Sequence, residues 1–139
     1  MKRLLIYQKC LKCQKNKEVY MEDKIEVGEF VRTNKGNIGQ VIDIFQGHCV
    51  AKYHIEFKGN VKVKRQYLST NTIVNHNKII SEIVEVGDYV NGKLIHKIDK
   101  GPNYCYLYYG NCKTFVDYQI KTILTKESYM ANCYKVGGE

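Results

Sequence analysis

Apolar and polar residues alternate most regularly between positions 49 and 57. Cys49, Ala51, Tyr53, Ile55 and Phe57 fall on one side of an extended chain, and Val50, Lys52, His54 and Glu56 on the other. That period of two predicts a half-buried strand. Upstream, residues 29–33 are a predicted strand, and residues 34–37 a turn in which Gly36 is free to take positive φ. Residues 38–45 are a second strand, whose Gly39 marks a bulge or a close backbone approach. Downstream, residues 58–60 predict a tight hairpin answered by residues 61–64, with Val61 and Val63 inward and Lys62 and Lys64 outward. Residues 67–70 read as one helical turn, before a last strand at 72–74.

The pattern then returns. Lys24-Ile-Glu-Val-Gly-Glu-Phe-Val31 reappears as Ile83-Val-Glu-Val-Gly-Asp-Tyr-Val90, with Gly28 and Gly87 at the same place in each. Two small β units in tandem are the simplest account. In the second unit residues 88–90 open a strand, Asn91-Gly92 has the composition of a type I′ turn, and residues 93–98 are the next strand. A loop over 99–103 holds the single proline, Pro102. Residues 104–109 form a strand with aromatics on both faces, and residues 112–116 follow the Gly110-Asn111 turn. Residues 117–120 match Gln66-Tyr67-Leu68, and Ile123-Leu124 match Ile73-Val74. A short helix over 125–133 is capped by Thr125. The predicted organisation is a basic extension (1–20), a first repeat (21–77), and a second repeat with a helical tail (78–139). Within the extension, residues 4–11 suit either a basic amphipathic helix or an extra strand.

The stretch Gly28-Glu-Phe-Val-Arg-Thr-Asn-Lys-Gly-Asn-Ile-Gly-Gln-Val-Ile-Asp-Ile44 resembles the motif of KOW-type and related SH3-like domains. An opening Gly-acid-x-Val strand there leads through a loop to a glycine and a hydrophobic second strand. The resemblance implies a mainly β chain built of two tandem SH3-like small barrels, and implies nucleic-acid or protein binding by analogy of fold. The second copy departs from it, because Asn91-Gly92 is a shorter connection and nothing aligns with Gly39. Val86–Gly92 and Thr125–Glu127 are also similar to segments of small proteins of Firmicutes phages and mobile elements. That likeness implies a context of inhibitors of host defence, anti-CRISPR proteins among them.

Charge changes the picture at one end. The chain of 139 residues carries a net +8, and residues 1–20 hold Lys2, Arg3, Lys9, Lys12, Lys15 and Lys17 against the single acid Glu18. Such an arm attracts phosphate backbones or acidic protein surfaces. Lys52, Lys62 and Lys64 on neighbouring strands, with Lys58 and Arg65 at their ends, form a second expected basic patch. No segment has the apolar length of a membrane span or a signal peptide, so the expected location is the cytosol of a bacterial host, without membrane contact. Each repeat is near the lower size limit for folding alone. The copies are therefore expected to pack together or the protein to form homo-oligomers.

The candidate chemistry is sparse. Cys10-Leu-Lys-Cys13 has the spacing of half a zinc site, and Cys105 with Cys112, or His48 with Cys49, would have to complete it through the fold. Otherwise no cofactor is expected. Tyr104, Tyr106, Tyr108 and Tyr109 supply rings for stacking bases or for contacting a protein. His48, His54, His76 and His96 have no partner at a diagnostic spacing, and no nucleophile elbow, P-loop or dinucleotide fingerprint is present. The reading is a non-enzymatic binding protein that engages a nucleic acid or a nucleoprotein complex such as a host defence effector. The alternatives are a protein–protein module using the tyrosine-rich repeat, possible with a host protein, and a small-molecule binder at the cleft between repeats.

Overall fold

The computed structural model describes residues 5–10, 15–20, 24–47, 50–59 and 62–137, the first two segments by their backbone alone. The chain is mainly β, with antiparallel sheets and one short C-terminal helix. In the N-terminal extension β1 (Leu5–Cys10) pairs antiparallel with β2 (Lys15–Tyr20), from Leu5 opposite Tyr20 to Cys10 opposite Lys15. Of the helix and the strand expected in this stretch, residues 5–10 adopt the strand.

The first repeat supplies β3 (Phe30–Thr33), β4 (Ile38–Gln46), β5 (Ala51–Phe57), β6 (Arg65–Ser69) and β7 (Ile73–Asn77), with a 3-10 turn at Thr70–Thr72. They form one sheet in the order β6-β5-β4-β3-β7. Tyr53, Ile55 and Phe57 turn inward with Ile25, Val31 and Val41, as the alternation predicts. Gly36 has φ +82°, and Gly39 lies so close to β5 that a Cβ there would sit 2.5 Å from Ile55 and 2.8 Å from the Glu56 carbonyl oxygen. The register shift in β4 falls later, between Val41 and Asp43.

Two expectations fail here. Residues 62–64 are not a strand, and Val63 is 53% exposed instead of inward. The residues at 67–70 mostly continue β6 in place of a helical turn. The reason is packing: pairing Arg65–Ser69 with β5 sets Leu68 opposite Tyr53, against the core, which a hairpin through Val63 would leave uncovered. A wider connection results, closed by the Phe57 N–H donating to the Lys64 carbonyl at 2.7 Å.

After a 3-10 turn at Ile80–Ile83, the second repeat runs through β8 (Tyr89–Val90), β9 (Lys93–Leu94), β10 (Lys97–Gly101), β11 (Tyr104–Tyr109), β12 (Lys113–Phe115), a 3-10 turn at Asp117–Gln119 and β13 (Ile123–Leu124). Helix α1 (Lys126–Asn132) ends it, with the Thr125 hydroxyl accepting from the Ser128 N–H at 3.2 Å. Asn91 and Gly92 both have positive φ, 52° and 79°, as a type I′ turn requires. The single strand expected over 93–98 is two strands in two sheets, β13-β8-β9 and β10-β11-β12. The break is at wholly buried Ile95, whose N–H donates to the Asp88 carbonyl while the His96 N–H donates to that of Tyr108. The chain thus changes partner between the two residues. Asp117–Gln119 corresponds to the turn Thr70–Thr72, not to Gln66–Leu68, because β12 stops short where β6 continues.

Taken with that break, β12-β11-β10 and β9-β8-β13 repeat the order β6-β5-β4-β3-β7. The repetition reaches individual hydrogen bonds. Gly28 N donates to the Val41 carbonyl and Gly87 N to that of Ile95, each at 2.8 Å. Val41 N returns to the Glu29 carbonyl and Ile95 N to that of Asp88, each at 2.9 Å. The buried apolar residues likewise form two clusters, one around Val31 and Ile55 and one around Val90, Ile95 and Leu107.

Candidate functional site

The even positions of β5 look outward, so register decides what surrounds them. Lys52 lies beside Phe45 of β4 and Ser69 of β6; His54 lies beside Asp43 and Tyr67; Glu56 lies beside Gln40 and Arg65. The His54 and Tyr67 rings stack with centroids 4.3 Å apart and planes 12° apart. Phe45 is 61% exposed and Tyr67 55%. The outer face of this sheet therefore carries a strip of three aromatic rings, Phe45, His54 and Tyr67, with Lys52 toward one end, the Arg65–Glu56 pair toward the other, and Asp43 beside His54.

The five cations expected to form one patch are divided. Lys52 belongs to the strip and Lys62 is exposed in the connection before β6. Lys64 Nζ donates to the Gly59 carbonyl at 2.6 Å, closing its own loop, and Arg65 Nη2 meets Glu56 Oε2 at 3.3 Å. Lys58 turns toward the second repeat. Lys2, Arg3, Lys12 and Cys13 lie outside the described residues, as do His48 and Cys49. Of Lys9, Cys10, Lys15 and Lys17 only the backbone, in β1 and β2, is described. Phe45 and Tyr67 were absent from the sequence-based site. A helical turn over 67–70 would break the two-residue period that, in β6, sets Tyr67 beside His54.

On β11, Cys105 and Leu107 point into the second core, so Tyr104, Tyr106 and Tyr108 share the outer face. Tyr104 and Tyr106 lie 5.4 Å apart, and Lys97 Nζ stands 5.1 Å from the Tyr108 ring centroid. Tyr109 is on the other side, stacked on Phe115 at 4.2 Å, and serves as packing.

His76, His96 and Asp117 have structural duties. His76 Nδ1 bonds Glu29 Oε1 at 2.6 Å, and His96 Nε2 donates to the Gly110 carbonyl at 3.0 Å. Asp117 Oδ1 accepts from the Ser81 N–H at 2.8 Å. Among the described residues no group of three or more His, Cys, Asp or Glu side chains is arranged to hold a metal. Cys112 is exposed, while burial pushes the Cys105 thiol above its ordinary value.

A denser charged cluster joins the repeats, unanticipated from the sequence. Arg32 is wholly buried and forks onto wholly buried Asp88, Nη1 to Oδ2 at 2.5 Å and Nη2 to Oδ1 at 2.9 Å. Its Nη1 also donates to the Ile83 carbonyl at 3.0 Å and its Nη2 to Glu127 Oε1 at 2.7 Å, while Glu85 lies 3.5 Å from Nε. Burial alone lowers the pKa of a guanidinium. Here the hydrogen bonds and charges of Asp88, Glu127 and Glu85 outweigh it, and the value is raised. With every face of Arg32 enclosed, this cluster is an internal bolt and offers nothing to a ligand.

Comparison with known proteins finds no match to this chain among protein families, curated proteins or solved structures. Its surfaces must therefore be read on their own chemistry.

Proposed function

We propose that the protein acts by binding, without catalysis, and that its target is nucleic acid, free or within a nucleoprotein complex. A host defence effector inhibited by that contact is the biological setting proposed for it, and the bacterial cytosol is its proposed location. The observation that carries the reading is the strip of Phe45, His54 and Tyr67 beside Lys52 and Arg65. Exposed rings interleaved with cations are how single strands are held without sequence preference. The net charge of +8 and the six cations of the N-terminal extension support the same partner.

Fluorescence anisotropy with a labelled single-stranded oligonucleotide tests this. Each stacked base is worth about 1–3 kcal/mol, so Phe45→Ala and Tyr67→Ala should each weaken binding roughly 5- to 150-fold. Raising salt from about 50 to 200 mM should weaken it steeply through counterion release. Affinity indifferent to salt and to both substitutions would refute the proposal.

A second reading draws on the outer face of β11, where Tyr104, Tyr106 and Tyr108 line up beside Lys97. Such a row suits a protein partner. Capture from host lysate that survives nuclease treatment and is abolished by Tyr104→Ala/Tyr106→Ala would favour it.

A further inference from the structure

Between the repeats lies a cleft of about 370 Å³. Phe30 and Ile38 of the first repeat face Ile80, Ile120 and Ile123 across it. The volume falls within the ~300–1,000 Å³ typical of small-ligand sites, which favour junctions between folded units. Two lysines line the cleft, Lys58 from the first repeat and Lys121 from the second, and both are exposed. Among the described residues neither is paired with a carboxylate. Glu56 also lines the cleft but is met by Arg65 at 3.3 Å. The second wall is fixed in place, because Asn91 Oδ1 accepts from the Lys121 N–H at 2.7 Å and from the Thr122 N–H at 3.1 Å. Across from it, Gln40 Nε2 is committed to the Gly28 carbonyl at 3.0 Å.

Apolar walls carrying ammonium groups contributed from both sides define a ligand by its chemistry. We propose that this cleft binds a small amphipathic organic anion, an aliphatic or aromatic body ending in one carboxylate or phosphate. The body removes Phe30 and the isoleucines from water, and the anionic end meets Lys58 and Lys121. Because its walls come from both repeats, an occupant bridges them. The site adjoins the aromatic strip at Gln40 and Glu56 but shares none of its rings, and it does not depend on the nucleic-acid reading.

The test uses the full chain with isoleucine methyl groups labelled for NMR, titrated with octanoate, octyl phosphate and octylamine. Octanoate or octyl phosphate should shift the methyls of Ile38, Ile80, Ile120 and Ile123 saturably, leaving the core methyls of Ile25, Ile55 and Ile95 in place. The stronger of the two anions identifies the headgroup. Octylamine should have no such effect. Lys58→Glu/Lys121→Glu should raise the Kd at least tenfold while the spectrum keeps its dispersion. Lys58→Arg/Lys121→Arg should bind as the parent does. If the double charge reversal disturbs the fold, Lys58→Gln and Lys121→Gln singly carry the same test, each with a threefold or greater loss. No saturable shift with either anion, an equal response to octylamine, or indifference to the lysine substitutions would overturn the proposal.

Discussion

Replacing Arg32 with Met removes the bolt between the repeats while keeping a side chain of similar length. The substitution deletes two hydrogen bonds to Asp88, one to Glu127 and one to the Ile83 carbonyl. Asp88 stays buried, with the Glu85 and Lys126 N–H groups at 2.8 and 2.9 Å as its remaining donors. Breaking a buried ion pair by removing one partner costs about 3–5 kcal/mol, since the other charge is left without compensation. The lower end applies here, because two N–H donors remain on Asp88, Glu127 is 36% exposed and free to hydrate, and Glu85, equally exposed, keeps Lys126 Nζ at 2.8 Å. A loss of about 3 kcal/mol lowers the Tm of a chain this size by roughly 10 °C. That is a large share of the ~5–15 kcal/mol that holds a typical protein folded. Urea denaturation followed by circular dichroism measures it. The double variant Arg32→Met/Asp88→Leu should lose much less than the sum of its singles, as coupled sites do. The guanidinium pKa is raised, so its contribution is complete below the ordinary arginine range and fades only as pH climbs through the raised value. The Arg32→Met penalty should therefore be the same at about pH 6 and about pH 9 as far as Arg32 ionisation is concerned. A cost below about 1 kcal/mol, or additive singles, would refute the account of Arg32 as the joint.

Other substitutions separate backbone strain from crowding. Gly36 and Gly92 both have positive φ, but a Cβ at Gly36 would lie 2.6 Å from Glu127 Cβ and from Thr125 Oγ1, whereas Gly92 has nothing within 4 Å. Gly92→Ala should cost about 1 kcal/mol from left-handed strain alone, and Gly36→Ala about 3 kcal/mol, compared by urea midpoints at constant m. Mass spectrometry after brief iodoacetamide treatment of the native protein at mildly alkaline pH should find Cys112 alkylated and Cys105 intact, because burial keeps the Cys105 thiol protonated. The Tyr53 phenol is raised above its ordinary 10.0 by burial and then by the Glu29 charge. Its stabilising effect is complete below that value and lost as pH rises through the raised one, so alkaline unfolding curves should shift to higher pH in Tyr53→Phe.

The parts of this structure legible in the sequence are those fixed by neighbours along the chain. The alternation around Tyr53 and Ile55 gave β5 its faces, and Asn91-Gly92 gave its turn, because both depend on a few consecutive residues. The echo of Gly28 in Gly87 proved to be an echo of hydrogen bonds. Errors came where distant packing decides. A hairpin at 58–64 satisfied the local pattern, but Leu68 covers Tyr53 only if the pairing strand begins later, at Arg65. The isoleucine at 95 joins one core wall to another, and nothing in the run Lys93–Lys97 marks it as a change of sheet. Arg32 was hardest to read. It follows Val31 in a strand where every second residue should be polar, so a charge there raised no question. Its partner lies 56 residues away.

Glu29 and Asp88 occupy the same rung of the motif, yet they have different loyalties. Glu29 answers its own turn and His76, while Asp88 reaches into the other half to hold Arg32. The halves are thus alike in outline and unequal in obligation. Severing the backbone between Lys78 and Ile79, past the end of β7, would leave one fragment with a stranded guanidinium and the other with an empty socket of carboxylates. Mixed together, the two pieces should find each other and reassemble as a non-covalent pair, whereas either one alone should fail to settle.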